Sequence, residues 1–111
     1  MTELQIGAPA STEALARIGT ALADATRQSI LIRLLEGPAY PAELADGLET
    51  TRANISNHLS CLRGCGLVIA ERDGRRIRYE LADSELAAAL RHLTHVVLAI
   101  DPGHRPVVEL P

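Results

Sequence analysis

Apolar residues recur at helical spacing along most of the chain. Leu15, Ile18, Ala21 and Leu22 fall on one side of a helix from about residue 13 to 23, capped by Ser11 or Thr12 and with Glu13 in its first turn. Asp24 opens the next segment, DATRQSILIRLLEGP, whose stripe is Ile30, Leu31, Leu34 and Leu35; Gly37-Pro38 cannot continue a helix, so it ends near Glu36. Pro41 suits the first turn of a short third helix with Leu44, Ala45 and Leu48 inward, and Gly47 and Glu49 fall where the chain must turn. Thr50 or Thr51 then caps a fourth helix, TRANISNHLSCLRGCGL, with Ile55, Leu59 and Leu62 inward and Gly64 and Gly66 at its end. The period changes in LVIAERDGRRIRYEL, where apolar and β-branched residues flank Asp73-Gly74, a strong hairpin signal. A last helix, ELAAALRHLTHVVLAI, follows a cap at Asp83 or Ser84 and stops at Asp101-Pro102-Gly103. Its apolar positions cover more than one face, so it needs a partner as well as a core and is assigned to a dimer interface.

Two short helices joined by a tight turn, the second polar on its outer face, followed by a hairpin, have the outline of a winged helix-turn-helix. The fold class expected is therefore mainly α with a β-hairpin wing, and homodimeric. Residues 1–10, with Gly7 and Pro9 and no periodicity, read as a flexible tail, residues 11–101 as the DNA-binding and dimerisation domain, and residues 102–111 as a second tail. A length of 111 residues fits one domain. The apolar share of 47% comes almost wholly from Ala, Leu, Ile and Val, which suits packed helices. No run approaches the roughly 18 consecutive apolar residues of a membrane span. Glu3 stands where a signal peptide would carry basic residues, so the chain is expected to be cytoplasmic and unprocessed, with no membrane partner.

A net charge of -3 argues against nucleic acid until its placement is considered. Between Thr51 and Tyr79, six Arg face two acids, giving +4; elsewhere five Arg face twelve acids, giving -7. The basic footprint is thus local to the fourth helix and the hairpin. A recognition helix presents its amino-terminal polar residues to base edges, and Thr51, Arg52, Asn54, Ser56, Asn57 and His58 occupy that stretch. Arg52 suits guanine, Asn54 or Asn57 adenine, and Thr51 and Ser56 phosphate oxygens. Arg72, Arg75, Arg76 and Arg78 on the hairpin suit phosphates or a minor groove. Any one of these could be a solvated residue on a surface helix; helix, turn, polar-tipped helix and Arg-rich hairpin in that order point jointly to double-stranded DNA.

Cys61 and Cys65 lie one helical turn apart, so their Cβ atoms neighbour one another at roughly 5 to 6 Å. Two thiolates there can chelate one soft or borderline ion such as Cd(II), Pb(II) or Zn(II), but they make only half a site. Two other readings stay open: a pair of small core residues, or a redox pair, although the Cβ vectors run along the helix rather than toward each other. His92 and His95, three apart on the last helix, either form a second metal pair across a dimer or pack at its interface. No phosphate-binding glycine loop, nucleophile motif or HExxH is present, which points away from an enzyme and from an organic cofactor.

These residues resemble the ArsR/SmtB metalloregulatory repressors. ALADATRQSILIRLLEGP is similar to that family's opening helix pair, NISNHLSCLRGCGLV to its recognition helix and RDGRRIRYEL to its wing, over roughly residues 13 to 100. The SxHLxxLxxxGLV core stands in register as Ser56, His58, Leu59, Leu62 and Gly66-Leu67-Val68. HLSCLRGCGLV further resembles the actinobacterial cadmium/lead-sensing branch, whose two recognition-helix cysteines map onto Cys61 and Cys65. The resemblance implies a homodimer that represses its operator when metal-free and leaves it when a metal effector binds. In that branch a third cysteine comes from the carboxy-terminal tail of the other subunit, whereas DPGHRPVVELP contains none. His104 is the nearest replacement and Asp101 a weaker one, a change that disfavours Pb(II) and trivalent arsenic relative to Zn(II) or Cd(II). The family's zinc and nickel sensors carry a ligand pattern on the last helix that begins Asp-x-His, but Asp83 here is followed by Glu85, Val96 and Ala99, which favours the interface reading of the histidines. A winged-helix repressor answering to thiol oxidation or to another signal without metal is the alternative, and a protein-interaction module that binds no nucleic acid is a further rival.

Overall fold

The computed structural model describes residues 12–103. Its elements run α1 (Thr12–Leu22), α2 (Ala25–Leu34), α3 (Pro41–Gly47), α4 (Arg52–Gly64), β1 (Val68–Asp73), β2 (Arg76–Leu81) and α5 (Ser84–Leu93), the order of a winged helix-turn-helix. Three helix starts are fixed by side chains that take up amides a helix leaves unpaired. Asp24 accepts from the Arg27 amide at 3.0 Å, Thr51 from the Asn54 amide at 3.0 Å, and Asp83 from the Glu85 and Leu86 amides at 2.9 and 3.2 Å.

The ends of α3 and α4 share one device. Thr50 N–H donates to Ala45 O at 3.0 Å and Glu49 N–H to Asp46 O at 3.2 Å; Leu67 N–H donates to Leu62 O and Gly66 N–H to Arg63 O, both at 3.0 Å. This double bond pattern needs a left-handed residue, and the chain supplies Gly66 (φ 87°) after α4 but Glu49 (φ 54°) after α3. The left-handed Glu49 turns the chain so that α4 starts at an angle to α3.

Beneath both helices lies an aliphatic core. Ile30, Leu31 and Leu34 from α2 meet Leu44 and Ala45 from α3, Ile55, Leu59 and Leu62 from α4, and Leu67 and Val68, with Ala21 and Leu90 closing the ends. No polar side chain is buried among the described residues, so α4 is held by hydrophobic contact on its inner face, each fully buried leucine contributing about 1.5–3 kcal/mol.

The wing differs from expectation in two respects. Its closing pair is Asp73 with Arg76, which makes Gly74-Arg75 the two-residue loop, with positive φ at Gly74 (65°). It is also joined by a third short segment: Ala39 and Tyr79 exchange backbone hydrogen bonds at 2.9 and 2.8 Å.

Two apolar expectations also change. Leu15 does not enter this chain's core and is 63% exposed. The last helix ends at Leu93, where Thr94 Oγ1 donates to Arg91 O at 2.6 Å and His95 Nδ1 lies 2.9 Å from the same carbonyl. Val96, Val97, Leu98 and Ile100 beyond it are exposed, so among the described residues they have nothing to pack against and the helix gains no burial there by extending. Among the described residues no helix is long and apolar enough to cross a membrane.

Candidate nucleic-acid interface and thiol pair

Burial of Ile55, Leu59 and Leu62 turns the opposite face of α4 to the surface. Arg52, Ser56 and Asn57 are exposed there, and their side chains make no hydrogen bond or ion pair among the described residues. Ser60 and Arg63 continue the same exposed face, a continuation the sequence reading did not draw although it follows from the helical period. The other three residues named on this helix are engaged in the domain itself. Thr51 Oγ1 accepts the Asn54 amide as cap, and the Asn54 side-chain amide donates to Thr50 Oγ1 at 3.0 Å. His58 is half-buried, its Nδ1 3.8 Å from the Asp24 carboxylate. The Arg27 amide bond, helped by the nearby His58 and opposed by partial burial, holds that carboxyl below the usual carboxylate range. His58 thus lies beside the cap of α2.

On the wing, the four arginines are used unequally. Arg78 pairs with Glu71 across the strands at 2.7 Å, which holds the guanidinium proton still more firmly than usual. Arg72 donates to Gly74 O at 3.3 Å, close to its own turn. Arg75 is exposed with no side-chain partner among the described residues. Arg76 lies flat on the ring of Tyr40, its Cζ 3.5 Å from the ring centroid. The Tyr40 hydroxyl donates to Asp73, and that bond raises the Tyr40 pKa. Tyr40 escaped the sequence reading; the available signal was Pro41, which forces the residue before it into an extended conformation.

The thiols stand at the other end of α4. Cys61 and Cys65 are free and half-buried; Cys61 lies in α4 and Cys65 is its carboxy-terminal cap, whose amide donates to Cys61 O at 3.0 Å one turn back. Cys65 also borders an open cleft of about 170 Å³ with Arg17 and Ile18 of α1 and Asp83 and Leu86 at the start of α5. Arg17 reaches from α1 to Gly64 O at 3.4 Å. The second thiol therefore neighbours both helices that flank the DNA-reading unit.

As a donor set, two thiols fit a soft ion, and one chain supplies half of the coordination such an ion takes. Among the described residues no group of three or more His, Cys, Asp or Glu side chains converges. His104 lies outside the described residues. Asp101 is exposed and accepts the Gly103 amide at 3.0 Å, and His92 and His95 are exposed at the end of α5.

Comparison with known proteins bears on the fold and the family. The model for bacterial regulatory proteins of the arsR family matches residues 24–70, from the cap of α2 into β1. The chain is 60% identical over 96 residues, 86% of its length and 81% of the relative's, to the HTH-type transcriptional regulator CmtR of Mycobacterium tuberculosis. It is similar to the NMR structure of the cadmium metal-sensor CMTR from the same organism, with a TM-score of 0.67 and 59% identity over 86% of this chain and 99% of that one. It is also similar to a homodimeric winged helix-turn-helix DNA-binding domain from Mycobacterium bovis, a possible ArsR-family transcriptional regulator, with a TM-score of 0.72 and 26% identity over 80% of this chain and 87% of that one. With this fold, this matched segment and a relative so similar over most of both chains, the protein belongs to the arsR family of bacterial regulatory proteins.

Proposed function

We propose that this chain is a cytoplasmic transcriptional repressor that binds operator DNA as a homodimer and leaves it when a soft metal ion, Cd(II), Pb(II) or Zn(II), is captured by Cys61 and Cys65. It carries out no catalytic step. The observation that carries the reading is the division of α4: Arg52, Ser56 and Asn57 have no partner among the described residues on its outer amino-terminal half, and two free thiols stand at its other end, Cys61 on its last turn and Cys65 at its carboxy-terminal cap. The similarity to a cadmium metal-sensor supports a metal effector.

In this reading Arg52 and Asn57 read bases, Ser56 and the helix cap Thr51 meet phosphates, and Arg72, Arg75 and Arg76 bring charge to the backbone beside the site. Asn54, His58 and Arg78 act mainly by holding α4 and the wing in shape. A second copy covers the apolar residues that one chain leaves exposed, Leu15, Ile32, Leu93 and Val97 among them. The working domain is residues 11–101, and the tail from 102 onward brings His104 from the partner to complete the metal's coordination. Closing that site draws α4 toward the tail and changes the spacing of two recognition helices that must match half-sites about 34 Å apart. A coupling of about 1–3 kcal/mol lowers operator affinity from about five- to over a hundredfold.

The test is operator binding by the reduced protein and by Cys61→Ser and Cys65→Ser, each with and without cadmium. Both variants are expected to bind the operator as the parent does and to remain bound in cadmium. Variants that still release with metal contradict the thiol site, and release by peroxide alone favours oxidation as the signal.

A further inference from the structure

We infer that Tyr40, which lies outside both the recognition helix and the hairpin, is the positioning residue that aims Arg76 of the wing at the nucleic acid; the inference rests on the reading of the chain as an operator-binding protein. The backbone at Tyr40 is held from both sides. Pro41 keeps it extended (φ -100°, ψ 153°), its N–H donates to Glu43 Oε1 at 2.9 Å, and its neighbour Ala39 is pinned to Tyr79 by two hydrogen bonds. A side chain leaving so fixed a point has a fixed origin. It ends between the two residues of the hairpin's closing pair, with its hydroxyl on Asp73 and its ring under Arg76.

That placement settles what each charge at the tip can do. Asp73 and Arg76 are paired across the strands, so carboxylate and guanidinium are cross-strand neighbours of opposite charge. The phenol occupies a carboxylate oxygen, and the ring takes up the flat face of the guanidinium. Cation–π contact uses only that face, whereas the five N–H donors of arginine lie in its plane and stay available for phosphate oxygens. Among the described residues those N–H groups have no hydrogen-bond partner. A two-stranded hairpin is marginally stable alone, so an anchor near its tip also fixes the direction in which Arg76 is offered.

The experiment is a double-mutant cycle on the full-length protein, measuring operator affinity across a salt series for the parent, Tyr40→Ala, Tyr40→Phe, Arg76→Ala and the Tyr40→Ala/Arg76→Ala pair. Tyr40→Ala and Arg76→Ala are each expected to weaken binding by about tenfold and to lower the slope of log affinity against log salt by about one. The double variant is expected to be no weaker than either single one, because both remove one contact. Tyr40→Phe keeps the ring but releases Asp73, and its affinity is expected to fall between those of the parent and Tyr40→Ala. Tyr40→Leu, which preserves bulk without a π face, is expected to match Tyr40→Ala and covers the case in which the smaller residue unfolds the wing. Additive losses in the double variant, or an unchanged salt slope in Tyr40→Leu, overturn the inference while leaving operator binding intact. A parent protein without salt-dependent operator affinity overturns the underlying reading instead.

Discussion

The recognition helix and the wing both carry polar surface, yet they spend it differently. On α4, Arg52, Ser56 and Asn57 have no partner among the described residues, because the helix is held by its own backbone bonds and by Ile55, Leu59 and Leu62 beneath. On the wing, Arg78 is committed to Glu71, Arg72 to Gly74 O, and Arg76 to the face of Tyr40. A short hairpin has too little buried surface to stabilise itself, so its side chains must cross-link it. The lesson is that a helix can offer its outer face entirely to a ligand, whereas a wing must share its charges between holding itself together and holding DNA.

Breaking the comparison is simplest at one arginine from each region. Arg52→Ala is expected to cost about 1–3 kcal/mol of operator binding while the melting temperature stays put, since its side chain has no partner among the described residues. Arg78→Ala is expected to lower both the melting temperature and operator affinity, each modestly, because an exposed cross-strand pair contributes little. Calorimetry and anisotropy on the same samples check this; equal behaviour of the two variants would erase the distinction.

A smaller effect sharpens it at the turn that aims α4. Glu49 holds a left-handed conformation that disfavours any residue but glycine by roughly 1–2 kcal/mol. Glu49→Gly removes that strain but frees the unfolded chain, so denaturant unfolding is expected to show a net gain below about 1 kcal/mol with operator affinity unchanged. A loss of stability would mean that the Glu49 side chain itself holds the turn.

Local chemistry was what the sequence made legible. Asp24, Thr51 and Asp83 act within three residues of themselves, and the stripes Ile30-Leu31-Leu34 and Ile55-Leu59-Leu62 repeat within one helix, so both were readable. The family pattern around Ser56 and His58 was equally local. What escaped is long-range pairing: Ala39 with Tyr79 and Tyr40 with Asp73 join segments more than thirty residues apart, and nothing near position 40 names its partner. The approach of His58 to Asp24 was hidden for the same reason, whereas the pairing of Arg78 with Glu71 depended on the register of the hairpin. The end of α5 depended on burial, which the described residues of one chain do not supply beyond Leu93. Both thiols were legible as a helical pair, but the cleft that brings α1 and α5 beside Cys65 was not.

The account stands on one helix joining two tasks, and a single titration addresses it. Cadmium is added to the reduced protein on fluorescent operator DNA, with thiolate-to-metal absorption and anisotropy recorded together. The account predicts that the absorption rise and the fall in anisotropy end at the same metal equivalence. Absorption that saturates while the operator stays bound, or release with no thiolate absorption, would contradict it.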